Sequence, residues 1–174
     1  EAIHALCERG VVFAPCTGRT YSEIPQNIRE ISTIRYVIHS NGAVVYDKES
    51  GKRIRRCIST ETAGTALDII HDYEAHITVR QDGRCFVDAE CQDETSFVRY
   101  NIIEAHRVCV RGFAEHLHGF EETVRSMDDV EIISVFFHDY EEKLRCRERL
   151  EQTGKLKTVE ASEFNLEIMS VEAG

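Results

Sequence analysis

Apolar positions recur with a helical period at the start of the chain. "EAIHALCERG" sets Ile3, Leu6 and Cys7 on one face with Gly10 as a stop, which predicts a helix over residues 1–9. The apolar run Val11–Val12–Phe13–Ala14 reads as a short buried strand. "YSEIPQNIREI" at 21–31 carries Ile24, Ile28 and Ile31 at helical spacing, with Pro25 tolerable only in a first turn. "YVIHS" at 36–40 is the next strand. An α-β-α-β order of this kind predicts a parallel sheet.

The pattern then changes. "NGAVVYDKESGKRIRRCI" reads as a hairpin around Ser50–Gly51, and "HITVRQDGRCFVDAE" as a second one turning at Asp82–Gly83. Between them, residues 60–74 form an amphipathic helix with Ala63, Ala66, Leu67, Ile70 and Tyr73 inward. Residues 93–104 and 111–127 read as helices, the latter broken near Gly119. "VEIISVFFHD" is the strongest strand, "YEEKLRCRERLEQTG" a charged helix, and "KLKTVEAS" and "FNLEIMSV" two closing strands. The fold class is therefore α/β, with an α+β unit of antiparallel pairs at 60–168 inserted into an α/β part made of residues 1–59 and 169–174. The chain opens on Glu1 in mid-helix and stops directly after a strand-like run, which predicts a piece of a longer protein.

Composition narrows the class. The 174 residues carry a net charge of −10, which argues against a nucleic-acid or anionic-membrane surface but leaves room for a small anion in a locally positive pocket. The odd number of cysteines, seven, with no C-x-x-C spacing, predicts free thiols in a reducing compartment, hence the cytoplasm. No apolar run approaches the roughly 20 residues that span a bilayer. Nothing in the sequence sets an oligomeric state.

The chemistry concentrates at "CTGRTYSEIP", residues 16–25. Thr20 and Glu23 have capping-box spacing, with Ser22 as a rival N-cap. Either places a helix N-terminus beside Thr17, at the end of the first strand, where open α/β sheets bind ligands. Gly18 permits close backbone approach, and Arg19 offers a planar fork suited to phosphate oxygens. An anion site and an ordinary strand-to-helix turn both account for these residues.

"ERGVVFAPCTGRTYSEI", "YVIHSNGAVVYD" and "FNLEIMSVEAG", in that order, resemble the haloacid dehalogenase (HAD) superfamily, and within it the class IIB or Cof-type phosphatases. The resemblance implies a Rossmann-like core carrying an inserted α+β cap. It makes Thr17 the catalytic residue whose hydroxyl and neighbouring amide bind the transferred phosphoryl group. It puts Gly18 and Arg19 on the wall beside it, and Asn41 and Gly42 at the next strand end; the plain alternative for Asn41–Gly42 is a turn. It also implies Mg²⁺, a small phosphorylated metabolite as substrate, and hydrolysis through an aspartyl-phosphate. The family's Asp-x-Asp nucleophile motif, its third-motif Lys and its metal-binding acids are absent from this sequence. On this reading the intact protein is a Mg²⁺-dependent phosphatase or phosphomutase and the chain alone is inactive. The alternative is a non-catalytic HAD-like module that binds a phosphorylated ligand or a protein. His106, His116 and His118 read better as solvated residues than as metal ligands, and Cys85 and Cys91 as small buried hydrophobes.

Overall fold

In the computed structural model, which describes residues 2–174, the chain opens on helix α1 (Ala2–Glu8). Glu1, included in the helix expected over 1–9, lies outside the described residues. The run Val11–Ala14 is not the expected buried strand: Val12 is 77% exposed, and the segment meets the first sheet only through one parallel bridge, Cys16 to Ile38. Strands β1 (Tyr36–His39), β2 (Val44–Asp47) and β3 (Arg53–Arg55) form a three-stranded sheet that is antiparallel throughout. The expected parallel sheet is thus reduced to the Cys16 bridge, where Ile38 N donates to Pro15 O (2.9 Å) and Thr17 N to Ile38 O (3.1 Å). Four apolar residues with a partner on one side bury too little to offset the entropy of fixing their backbone.

The helix expected over 21–31 is also split. A 3₁₀ turn at Tyr21–Glu23 is followed by single-turn α2 (Gln26–Arg29), because Pro25 lacks the N–H that would continue the first piece.

Helix α3 (Thr60–Ile70) starts at Ser59, whose Oγ accepts from Thr62 N at 3.3 Å. Strands β4 (Ala75–Gln81) and β5 (Arg84–Asp88) turn at Asp82 (φ 48°) and Gly83 (φ 74°), a two-residue turn of the twist that hairpins favour. Helix α4 (Glu94–Arg99) stops short of the expected 104, since Asn101 is left-handed (φ 54°), and α5 (Glu104–Phe113) starts afresh. Residues 114–117, expected to be helical, are strand β6 (Ala114–Leu117), parallel to β5. Ala114 and Leu117, three apart, suit a helical period, and the free edge of β5 overrides it. Helix α6 (Phe120–Ser126), strand β7 (Val130–Phe137), helix α7 (Tyr140–Gln152) and strands β8 (Leu156–Val159) and β9 (Asn165–Ser170) complete the chain.

The second sheet is mixed, in the order β6-β5-β4-β7-β9-β8. One face is apolar: Val79, Ile133, Val135, Phe137, Leu166 and Ile168 pack under Leu67 and Ile70 of α3, Val124 of α6 and Leu150 of α7. Each such fully buried side chain stabilises by about 1.5–3 kcal/mol, so this layer dominates the core. Ile58 joins the same cluster and pairs with Val130, and β9 runs on to Ser170, so the sheet takes in residues on both sides of 60–168.

The opposite face is different. Thr78, Arg80, Ser134 and Glu167 are buried there without being apolar. Phe97, Ile102 and Val110 cover one end of that face, and Ala43 and Val44 the other. Among the described residues no helix is long and apolar enough to cross a membrane.

Candidate active site

The polar face of the second sheet forms the floor beneath the Thr17 corner. Thr17, Gly18, Arg19 and Asn41 line one cavity of about 320 Å³, opposite Arg80, His106, Cys109, Glu160 and Glu167. Two turns far apart in sequence, at Thr17–Arg19 and at Asn41, therefore meet at one opening. Gly42 is not on its wall. It supports the turn behind Asn41 with φ 84°, and a Cβ there would lie 2.7 Å from Gly174 Cα.

Thr17 Oγ1 accepts from Arg19 N at 3.2 Å, which fixes the hydroxyl and leaves its proton free to donate outward. Arg19 is exposed, with Nη1 on Glu23 O at 3.3 Å. Gly18 is needed for packing: a Cβ there would sit 2.6 Å from Asn41 Oδ1. Thr20, not Ser22, begins the 3₁₀ turn, and its N–H donates to the Glu23 carboxylate at 3.0 Å.

The two corners are joined by backbone. Asn41 N donates to Thr17 O (3.2 Å) and Ser40 N to Arg19 O (2.9 Å). Ser40 (φ 53°), Asn41 (φ 52°) and Gly42 (φ 84°) are consecutive left-handed residues. For the two that carry a Cβ this costs roughly 1–2 kcal/mol each, so surrounding contacts must hold them. Asn41 Nδ2 donates to Glu167 Oε2 at 2.5 Å, and Ser40 Oγ to Glu131 Oε2 at 2.5 Å.

Beneath the corner lies a buried ion pair. Arg80 Nε and Nη2 reach both oxygens of Glu23 (3.3 and 3.4 Å), and Nη1 donates to Ser134 Oγ at 2.5 Å. Burial works against the Arg80 charge, yet Glu23, Cys85 and Glu167 together more than offset it and raise the group above its ordinary value. Cys109 on the cavity wall has its thiol raised chiefly by burial, so it is protonated at neutral pH. His106 packs edge-on against Phe136 with centroids 5.0 Å apart; burial lowers it, Glu167 works the other way, and Arg80 adds to the lowering.

His39 and His76 are lowered too, each mainly by burial, with Glu131 opposing at His39 and Cys91 O and Asp88 at His76. The three histidines share one sign. Their folded-state values lie below the ordinary value near 6.5, so below that pH the unfolded chain binds more protons than the folded one. The stabilisation is complete above about pH 6.5 and declines as pH falls through it, by up to about 1.4 kcal/mol per pH unit for each histidine. Urea midpoints are expected to fall between pH 7.5 and 5.5; a midpoint that rises on acidification would contradict these placements.

Arg80, Glu131 and Glu167 were not legible as site residues. In "HITVRQ" the polar positions alternate as a solvated face would, and their burial depends on chain segments distant in sequence. The signal that could have found the acids is their setting: a lone Glu inside "VEIISVFF" or "NLEIM" is a carboxylate in a buried strand and requires a partner.

A family model described as haloacid dehalogenase-like hydrolase matches residues 1–173. No curated protein matches the chain. A haloacid dehalogenase-like hydrolase from B. subtilis superposes with TM-score 0.75 at 20% identity, over 99% of this chain and 66% of that one. A haloacid dehalogenase-like hydrolase from Bacteroides thetaiotaomicron gives 0.70 at 11% identity, over 97% and 62%. A HAD subclass IIB sugar phosphatase gives 0.70 at 15% identity, over 99% and 61%. At these identities the likeness is one of fold, and the chain spans less than two thirds of the length of each structure.

Proposed function

The chain belongs to the haloacid dehalogenase-like hydrolase family, and from that premise we propose that the whole protein is a class IIB, Cof-type phosphatase of small phosphate monoesters. The observation that carries this reading is the convergence of Thr17, Gly18, Arg19 and Asn41 on one cavity whose far wall comes from the second sheet and α5. Thr17 donates its hydroxyl proton to a phosphoryl oxygen, Arg19 supplies positive charge, and the wall around His106 and Glu167 receives the leaving group. The substrate is a small phosphorylated metabolite, and seven free thiols suit a cytoplasmic setting.

In the family's reaction an aspartate attacks phosphorus and water then hydrolyses the aspartyl-phosphate. The 174 residues contain no Asp-x-Asp, so the nucleophile is not supplied by this sequence. The family also implies Mg²⁺. The residues present do not fit it: Glu23 is held by Arg80 and Thr20 N, and Glu167 by Asn41. Among the described residues no group of three or more His, Cys, Asp or Glu is placed to hold a metal. By itself, this chain therefore binds phosphate without turning it over.

Purified as the 174-residue chain, the protein is expected to give no Mg²⁺-dependent turnover of p-nitrophenyl phosphate. Turnover that Thr17→Ala leaves unchanged would end both the site assignment and the placing of the nucleophile elsewhere. In the whole protein, Thr17→Ala is expected to lower kcat about ten- to a thousandfold, the scale for one donor to developing charge. The fold should be spared, because Thr17 is only half-buried. Full kcat in the folded variant would reduce Thr17 to a turn residue.

A further inference from the structure

Glu131 lies on β7 among apolar neighbours and is 1% exposed. Its Oε2 accepts from Thr20 Oγ1 (3.0 Å) and Ser40 Oγ (2.5 Å), and its Oε1 accepts from Gly83 N (2.8 Å). His39 Nδ1 stands 3.7 Å from Oε2 and 3.0 Å from Ser40 Oγ. Thr20 follows Arg19 directly, and Ser40 precedes Asn41 directly. One carboxylate thus grips the flanks of both corners of the cavity from below.

We propose that Glu131 is a positioning residue: it fixes the Thr17–Thr20 and Ser40–Asn41 corners in the relative placement that a bound phosphate group requires. The backbone gives the reason. Ser40 and Asn41 both hold left-handed φ values, which a free loop abandons unless its surroundings over-determine it. Each is pinned by a carboxylate of the second sheet, Ser40 by Glu131 and Asn41 by Glu167, whose strands β7 and β9 are hydrogen-bonded neighbours. A carboxylate buried in an apolar strand is costly, and one that only joined two layers could be replaced by an apolar side chain of similar size. Here Oε2 accepts from the two residues adjoining Arg19 and Asn41, and Oε1 is held in place by Gly83 N.

Only the ligand-binding part of the test rests on the phosphate reading of the Thr17 corner. The ¹⁵N-labelled 174-residue chain is compared with Glu131→Gln and with the milder Ser40→Ala. Amide spectra, residue-level hydrogen exchange and titration with inorganic phosphate are recorded for each. The Gly18 and Asn41 resonances are expected to shift, and exchange at the Thr17 and Asn41 amides to rise about tenfold, the scale of losing a charge-assisted hydrogen bond. The amides of Leu67 and Leu150, in the distant apolar layer, should keep their wild-type shifts. Phosphate affinity should fall about tenfold in Glu131→Gln and less in Ser40→Ala.

Folded variants with Gly18 and Asn41 unmoved overturn the proposal and leave Glu131 as a fastening between layers. Should Glu131→Gln fail to fold, Ser40→Ala decides by the same criteria. Should the wild-type chain bind no phosphate, the phosphatase reading of the corner fails, while the exchange and shift comparison still settles the role of Glu131.

Discussion

An Arg80→Leu variant is expected to lose about 3–5 kcal/mol of unfolding free energy, the cost of stranding a buried charge. Arg80 is 6% exposed, and Glu23 is buried against it. With the guanidinium gone, the Glu23 carboxylate keeps the Thr20 N–H at 3.0 Å and meets Leu where two donors stood. For a chain of this size the loss corresponds to a fall in Tm of roughly 6–20 °C. The double variant Arg80→Leu, Glu23→Leu should recover much of it, because an ion pair replaced by apolar groups of similar volume is often neutral. Urea denaturation of the single and double variants checks this. A loss below about 1 kcal/mol, or a double variant worse than the single, would mean that the pair is solvated and that the polar face of the sheet is not closed over.

The elements that could be read from the sequence are those whose information is local. The Asp82–Gly83 turn needs two positive φ values and has residues suited to them. Helix α7 begins at Asp139, whose carboxylate accepts from Glu142 N at 2.9 Å, and β7 announces itself as eight residues of which only Glu131 and Ser134 are polar. The Thr-Gly-Arg and Ser-Asn-Gly corners were legible for the same reason: each carries its own turn chemistry. What failed was decided by partners far along the chain. Val11–Ala14 has the composition of a strand and lacks a second neighbour and a cover. Residues 114–117 have a pattern compatible with helix and become β6 because β5 offers an unpaired edge. Arg80 looks solvated until the first forty residues are laid across it, and the partners that Glu131 requires lie among those same residues. A local pattern fixes what an element can be, and the neighbour that makes a polar side chain buried has no local trace.

Residues 58–170 expressed alone are expected to fold cooperatively, and residues 1–57 alone are not. The dominant apolar cluster lies wholly within the longer segment, from Ile58 to Ile168. It has the size of an ordinary domain, roughly a hundred residues. Cutting away the first part uncovers Ile132 and Met169, at a cost of about 1.5–3 kcal/mol each if they become fully exposed. The rest of the uncovered face is Arg80, Glu131, Ser134 and Glu167, which water solvates readily. The shorter segment has the opposite balance. Its own buried cluster is Ile24, Ile34 and Val37, its helix α1 buries no residue, and Thr20, Glu23 and Ser40 would lose the partners that now satisfy them. The three apolar side chains, even with the partly buried Ile3, Phe13, Tyr21, Ile28 and Ile31 packed against them, cannot offset the ordering of more than fifty residues at about 1–2 kcal/mol of backbone entropy each. In the whole chain, hydrogen exchange should accordingly be slowest around Ile133, at the centre of the second sheet, and fast at Val12, which has neither burial nor a strand partner. Slow exchange at Val12, or an unfolded 58–170 segment, would mean that stability flows from the first part to the second, and that the polar face is held together by the N-terminal residues rather than merely covered by them.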